Sequence, residues 1–325
     1  MKDLRLLEFA VALGHHRHFA RAAAAMGVTQ PTLSRGIARL EREVGETLFE
    51  RTTRSVQPTN LGLAFLERAE SLLQGAARLS DLRDTDAGLL SGQLNVGAGP
   101  YPLELSVLPA VASLAATHPR LRIRVVEGAW RQFPEMLLHG AVDVVVIHAS
   151  MFASDSRVEV EMLPSHRGRL VCRAGHPLTR KRRVTEADIE AYPLVNVSMV
   201  GNASRQLDAD LRVFAKKFSV DPRTGDMNPP IVTSSVYAAR EIIKHGDGLG
   251  LFTEPQVRED VAAGRLAMLE TGFPVPSTGY AIVWPRSRTL TPAARDFIEC
   301  VRAAEAELAG RVRRPRARSA PGDRR

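Results

Sequence analysis

The residues best suited to chemistry stand in one short run, Thr29-Gln30-Pro31-Thr32-Leu33-Ser34-Arg35-Gly36-Ile37-Ala38-Arg39. On a helix, Thr32, Arg35 and Arg39 follow steps of three and four residues and share a face. Leu33, Ile37 and Leu40 share the opposite one. One face is fit for burial, and the other offers guanidinium groups and hydroxyls. Arginine reads guanine edges or phosphates, glutamine pairs with adenine, and threonine brings a hydroxyl and a methyl. That chemistry recognises a polyanion; it makes and breaks no bond. Arg51 and Arg54 follow closely and suit phosphate or minor-groove contacts.

Residue patterns for covalent chemistry are missing. No glycine-flanked nucleophilic serine occurs, and no phosphate loop or Cys/His spacing for zinc. Gly97-Ala98-Gly99 opens like a dinucleotide fingerprint, but Pro102 stands where its third glycine belongs. Two cysteines, Cys172 and Cys300, make no disulfide scaffold. His15, His16 and His18 read as a basic loop. The expectation is a chain that is no enzyme, with no cofactor and no metal.

The elements that must position the basic face can be read next to it. Leu4, Leu7 and Val11 predict a helix over about residues 3–13, and Phe19–Ala25 is an alanine-rich second helix. Gly27 breaks it, Thr29 offers a capping side chain, and Pro31 suits a first turn. A third helix runs from about Gln30 to Val44, closed by Gly45. Helix, glycine turn and exposed basic helix make a helix-turn-helix, whose last helix fits a major groove. Leu48–Pro58 predicts a small hairpin or wing carrying Arg51 and Arg54. Residues 59–82 then read as one long helix with a stripe of Leu61, Phe65, Leu72, Ala76 and Leu79. Asp84–Gly92 resembles a hinge.

Beyond it the pattern alternates strand and helix. Strands are expected at Gln93–Gly97, Leu121–Val126 and Val142–Ile147, with helices at Leu103–Ala116 and Trp130–His139. A second unit follows, with strands at Arg169–Arg173, Leu194–Val197, Ile231–Thr233 and Leu249–Phe252. Its helices are expected at Ser204–Ala215 and Ser235–His245. Leu266–Leu269, Tyr280–Trp284 and a helix from Pro292 to Leu308 appear as a return to the first unit. Such alternation predicts a largely parallel, doubly wound sheet, with two lobes flanking a cleft.

Phe19-Ala20-Arg21-Ala22-Ala23, Val28-Thr29-Gln30-Pro31-Thr32-Leu33-Ser34-Arg35, Leu40-Glu41, Leu48-Phe49-Glu50-Arg51 and Gly62 together resemble the winged helix-turn-helix of LysR-type transcriptional regulators. Gly175-His176-Pro177-Leu178 and Gly246–Gly250 resemble parts of their effector domain, which is similar to periplasmic solute-binding proteins. The resemblance implies a winged helix-turn-helix plus linker helix, and a C-terminal α/β effector domain of two Rossmann-like lobes. The expected divisions are 1–58 for DNA binding, 59–90 for linker and dimerisation, 91–309 for effector binding and 310–325 for a disordered tail. Lobe I would span about 91–160 and 266–309, and lobe II about 161–265.

Implied DNA contacts are Thr29, Gln30, Thr32, Ser34 and Arg35, with Arg39, Arg51 and Arg54 adding phosphate or minor-groove contacts. Two departures stand out. His18 replaces a small capping residue, which would weaken the second helix's cap. Gly36 lies inside the recognition helix, where it costs about 1 kcal/mol against alanine and deletes a potential contact. Ligands of α/β sheets bind beyond strand carboxyl ends near helix N-termini. On that rule and the resemblance, Gly99, Pro100, Tyr101, Trp130, His148, Ser198, Val200, Asn202 and Ser234 are expected in the effector cleft. No Arg or Lys stands clearly in these loops, so an organic acid and a neutral aromatic molecule fit equally well.

The implied partners are double-stranded promoter DNA, a small-molecule effector, RNA polymerase and further copies of the chain, as homodimer or homotetramer. No run approaches the roughly 18 apolar residues of a membrane span, and no signal peptide opens the chain, so a cytoplasmic, nucleoid-associated protein is expected. The net charge of +8 adds little, because residues 310–325 hold seven arginines against one aspartate. The tail thus carries most of the excess, and bulk basicity says little about a folded surface.

Overall fold

The computed structural model describes residues 3–51, 56–81, 92–128, 130–152, 155–197, 212–223 and 225–313. The chain divides into two compact units. One is residues 1–93 with the short stretches 120–122 and 135–142, and the other is the remainder.

The first unit begins with α1 (Leu4–His16), α2 (Phe19–Ala25) and α3 (Gln30–Val44). The second and third helices have the expected bounds, because each start and stop is set by a local residue. Gly45 closes α3 in the left-handed region at φ +84°. His18 does cap α2: its Nδ1 accepts from Ala20 N at 3.2 Å, so the ring supplies the acceptor of a small polar cap. Thr29 caps α3 differently from expectation. Its carbonyl accepts from the amides of Thr32 and Leu33, while its hydroxyl bonds the Thr32 hydroxyl at 2.8 Å.

Leu6, Phe9, Leu13, Ala22, Leu33, Ile37 and Leu40 form the core. Gly36 belongs to that buried face, and a Cβ there would meet Phe9 Cδ2 at 2.5 Å. It marks a close approach of α3 to α1, and no contact toward the solvent face is deleted.

Strands β1 (Phe49–Arg51) and β2 (Val56–Pro58) pair antiparallel as the wing. Residues 52–55, including Arg54, lie outside the described residues, as does the Arg51 side chain. Helix α4 (Asn60–Asp81) follows. Gly62 must be glycine, since a Cβ would meet the Leu48 carbonyl oxygen within bonding range. Phe65, Leu66 and Leu73 pack on the core of their own unit. Phe65 therefore has an intrachain partner, while Leu61 and Leu72 are about half exposed, at 46% and 54%.

The second unit opens with β3 (Gly92–Ala98), the short turn α5 (Pro100–Pro102), a widened π turn at Leu103–Val107, and α6 (Leu108–Thr117). β4 (Leu121–Glu127), α7 (Phe133–His139), β5 (Val144–His148) and β6 (Val158–Met162) follow in chain order, the start of β4 and most of α7 clustering with the first unit. The chain crosses into β7 (Gly168–Arg173), α8 (Glu186–Glu190), β8 (Val195–Val197), α9 (Arg212–Ala215), β9 (Ser219–Val220), β10 (Met227–Asn228) and β11 (Ile231–Thr233). Then come α10 (Val236–His245), β12 (Gly250–Thr253), α11 (Glu254–Ala262), β13 (Leu266–Leu269), β14 (Tyr280–Pro285) and α12 (Pro292–Arg313).

Lobe I holds a five-stranded sheet in the order β4-β3-β5-β14-β6, and lobe II holds β12-β7-β13 and β11-β8. Two expectations change. The sheets are mixed: β3–β5 and β8–β11 are parallel, but β14 runs antiparallel to β5 and β6, and β7 antiparallel to β12 and β13. Leu266–Leu269 also stays in lobe II, since β13 pairs with β7. The return to lobe I therefore comes at 270–279, and β14 is the strand that re-enters its sheet. The last helix reaches Arg313, beyond the expected Leu308.

The two crossovers bond each other, His166 N to Thr278 O and Thr278 N to His166 O, both at 2.9 Å. Helix α12 pins them: His166 Nε2 lies 2.8 Å from Glu305 Oε2 in a buried pair. Tyr280 tilts against the His166 ring at 5.7 Å.

Candidate nucleic-acid interface and effector cleft

The solvent face of α3 carries Gln30, Thr32, Arg35 and Arg39, all exposed, with Ser34 half-buried. Thr29, just before the helix, is also exposed. Leu33, Gly36, Ile37 and Leu40 are buried behind them. Burial of one face fixes the direction of the other, so the basic and hydroxyl groups project from a rigid element. Arg35 Nε donates to the Pro31 carbonyl at 3.3 Å, which leaves its remaining donors directed away from the helix. Arg39 pairs with Glu43 at 3.0 Å on the same helix. Such an exposed pair is worth well under 1 kcal/mol, so a phosphate can displace it.

The wing is tied to this helix by a residue with no assigned role in the sequence reading. Glu41 Oε1 accepts from Leu48 N at 2.9 Å and Phe49 N at 3.1 Å. Thr59 continues the tie, donating to the Thr47 carbonyl at 3.0 Å and accepting from Gly62 N at 2.9 Å. A carboxylate directly after the core residue Leu40 carries no local signal of such a reach.

In the second unit, Gly99, Pro100, Tyr101 and His148 come together. β3 and β5 are neighbouring parallel strands, and both end there. Gly99 N donates to the Val146 carbonyl at 2.9 Å. Ser234 is exposed, after β11 in lobe II. Trp130 starts a single turn after β4, and its side chain lies outside the described residues. So do Ser198, Val200, Asn202 and the expected helix residues 204–211.

Tyr101 spans the lobes. Its hydroxyl donates to Asn196 Oδ1 at 2.5 Å, with the Leu251 carbonyl a second acceptor at 3.2 Å. Enclosure raises its phenol above the ordinary range, so it stays a neutral donor. Burial also lowers the His148 imidazole, which keeps that ring neutral near pH 7.

Two ion pairs cross between the lobes as well. Glu104, on the π turn, meets Arg240 Nη1 at 2.5 Å. Arg131, directly after Trp130, binds Asp226 with Nη2–Oδ1 at 2.8 Å and Nε–Oδ2 at 3.4 Å. A cation does stand in these loops, contrary to the sequence expectation, and it is engaged by the opposite lobe. Burial and the neighbouring Glu104 raise the Glu127 carboxyl.

Cys172 lies buried in β7, and burial pushes its thiol up to about 12. Among the described residues no His, Cys, Asp and Glu side chains group as a metal set. No described helix is long and apolar enough to cross a membrane.

A groove-sized helix with a wing, in one chain with a two-lobed α/β unit, defines a DNA-binding regulator with an effector domain. Comparison with known proteins agrees. Residues 4–63 match the bacterial regulatory helix-turn-helix protein, lysR family, and residues 87–306 match the LysR substrate binding domain. The chain belongs to the LysR family of DNA-binding transcriptional regulators. It is 35% identical over 298 residues to the SDS degradation transcriptional activation protein of Pseudomonas sp. (strain ATCC 19151), covering 90% of this chain and 94% of that one. It is 33% identical to Escherichia coli OxyR over 197 residues, 59% of this chain and 63% of the other. The fold matches CbnR in complex with its target DNA, with a TM-score of 0.63 at 21% identity over 93% and 99% of the two chains.

Proposed function

We propose that this regulator binds inverted-repeat promoter DNA as a homodimer or homotetramer and answers to a small effector held between its two lobes. The exposed face of α3, fixed by the burial of its opposite face, is the observation that carries the DNA half. In this reading Thr29, Gln30, Thr32, Ser34 and Arg35 contact bases and phosphates. Arg39, Arg51 and Arg54 hold the backbone or the minor groove. Leu61, Phe65, Leu72, Ala76 and Leu79 supply a dimer stripe along α4, Phe65 also packing on the core of its own unit; the Leu79 side chain lies outside the described residues. Two-fold symmetry then matches half-sites about one helical turn apart. The functional divisions are 1–58, 59–90, an effector part beginning at 91, and a basic tail.

The effector half rests on the lobe ties. Gly99, Pro100, Tyr101 and His148 on one lobe and Ser234 on the other, with Trp130, Ser198, Val200 and Asn202, would line the cleft. Tyr101–Asn196, Glu104–Arg240 and Arg131–Asp226 hold the lobes across it. A ligand that binds better to one lobe arrangement shifts the population of both. An organic acid or an aromatic molecule suits loops with helix N-termini and a neutral imidazole. RNA polymerase is the downstream partner, and the cytoplasmic nucleoid the site of action; the chain performs no catalysis and needs no cofactor. Activation is favoured by the Pseudomonas relative, whose name describes an activation protein. Peroxide sensing through Cys172 is disfavoured, because its buried thiol holds its proton.

The test is a ligand screen by thermal shift on the full chain, followed by Ser198→Ala with Asn202→Ala. Loss of the response in the double variant supports the cleft. An unchanged response refutes its placement.

A further inference from the structure

Lobe II carries a cavity of about 670 Å³ between the two crossover segments. Its lining runs through residues 165–170 and 269–277 and includes Arg183. None of the expected cleft residues contributes to it.

Three arginines line this space, Arg167, Arg169 and Arg183, against one acidic residue, Glu270. Their own partners leave most donors unused. Arg167 makes no hydrogen bond or ion pair to any described residue and is exposed. Arg169 reaches Glu254 only at 3.6 Å, and its buried Nε has no acceptor. Arg183 spends its Nε on the Thr271 carbonyl at 3.0 Å. Three like charges lining one cavity repel each other, and a buried donor without an acceptor is costly. An anion in the cavity offsets the repulsion among the three charges. Guanidinium groups match the planar or tetrahedral oxygens of carboxylate, sulfate and phosphate by paired donors.

We propose that this cavity is an accessory site for a small oxyanion, separate from the interlobe cleft. Arg167 and Arg183 grip the anion, and Arg169 adds its charge beside them. The site touches both crossovers, so an occupant cross-braces the strands through which lobe II joins lobe I. Val275 and Phe273 at its edge allow an organic anion as well as an inorganic one.

Isothermal titration of the full chain with inorganic phosphate and with octanoate, at matched ionic strength, tests this. Saturable binding of either anion is expected. Tighter octanoate binding would assign an organic anion, and tighter phosphate binding an inorganic one. Arg167→Ser with Arg183→Ser should weaken that binding by about tenfold or more, the loss expected of one charge-assisted bond. Arg167→Ser alone removes no bond within the described structure and guards against misfolding; it should weaken binding while leaving the melting temperature unchanged. Arg35→Ala, on the DNA face, should leave the anion titration as it was. Absence of saturable binding, or equal affinity in the double variant, overturns the proposal.

Discussion

Substituting Gly36→Ala sets two effects against each other. Helix propensity alone favours alanine by about 1 kcal/mol in a helix interior. The structure opposes it. A Cβ at position 36 would stand 2.5 Å from Phe9 Cδ2 and 2.9 Å from Cε2, where carbon atoms normally rest at about 3.5–4.0 Å. Phe9 is a core ring, so α1 and α3 must part by roughly an ångström. Overpacking of that kind costs about 1–3 kcal/mol. The expected balance is a net loss of about 1 kcal/mol, a drop of a few degrees in melting temperature. Thermal denaturation of the full chain, followed by circular dichroism at fixed concentration, measures it. Phe9→Leu should relieve the clash, so the double variant should lose less than the two single losses added together. A melting temperature at or above wild type for Gly36→Ala would refute the close-packing argument.

Glu41→Ala should unfasten the wing from α3, because the amides of Leu48 and Phe49 lose their shared acceptor. A loss of about 2 kcal/mol in stability and weaker binding to promoter DNA are expected, read by melting and by fluorescence anisotropy. His166→Leu leaves the Glu305 carboxyl buried at 1% side-chain exposure without its hydrogen-bond partner. That should cost about 1–3 kcal/mol, whereas replacing both members by leucine and methionine should cost less. His148 is held below its ordinary pKa by burial, so the unfolded chain takes up its proton first on acidification. Stability should therefore fall as pH drops below about 6.5, and His148→Gln should flatten that slope in melting curves.

Local signals wrote the first sixty residues plainly. Gly27, Pro31 and Gly45 punctuate the helices, and the opposed faces of α3 follow from spacing alone. Pairing was less legible. Leu266–Leu269 looks the same whether it joins one sheet or the other, and only its partner β7 decides. The lobe ties are further from view still: Glu104 and Arg240 lie 136 residues apart, and no local pattern joins them. Gly36 shows the reverse case, a residue visible in sequence whose meaning depends on the ring of Phe9. Arg131 and its partner Asp226 lie 95 residues apart, so their pairing is equally hidden in sequence.

The central claim is that the exposed face of α3 reads specific DNA. Capture of genomic fragments by the purified full chain, in parallel with Arg35→Ala, tests it most directly. Near-physiological salt suppresses nonspecific binding by the arginine-rich tail. The account predicts a few enriched sites containing interrupted inverted repeats for the wild type, and their loss in Arg35→Ala. Uniform weak binding that vanishes with added salt, or the same enriched sites in both proteins, would contradict it.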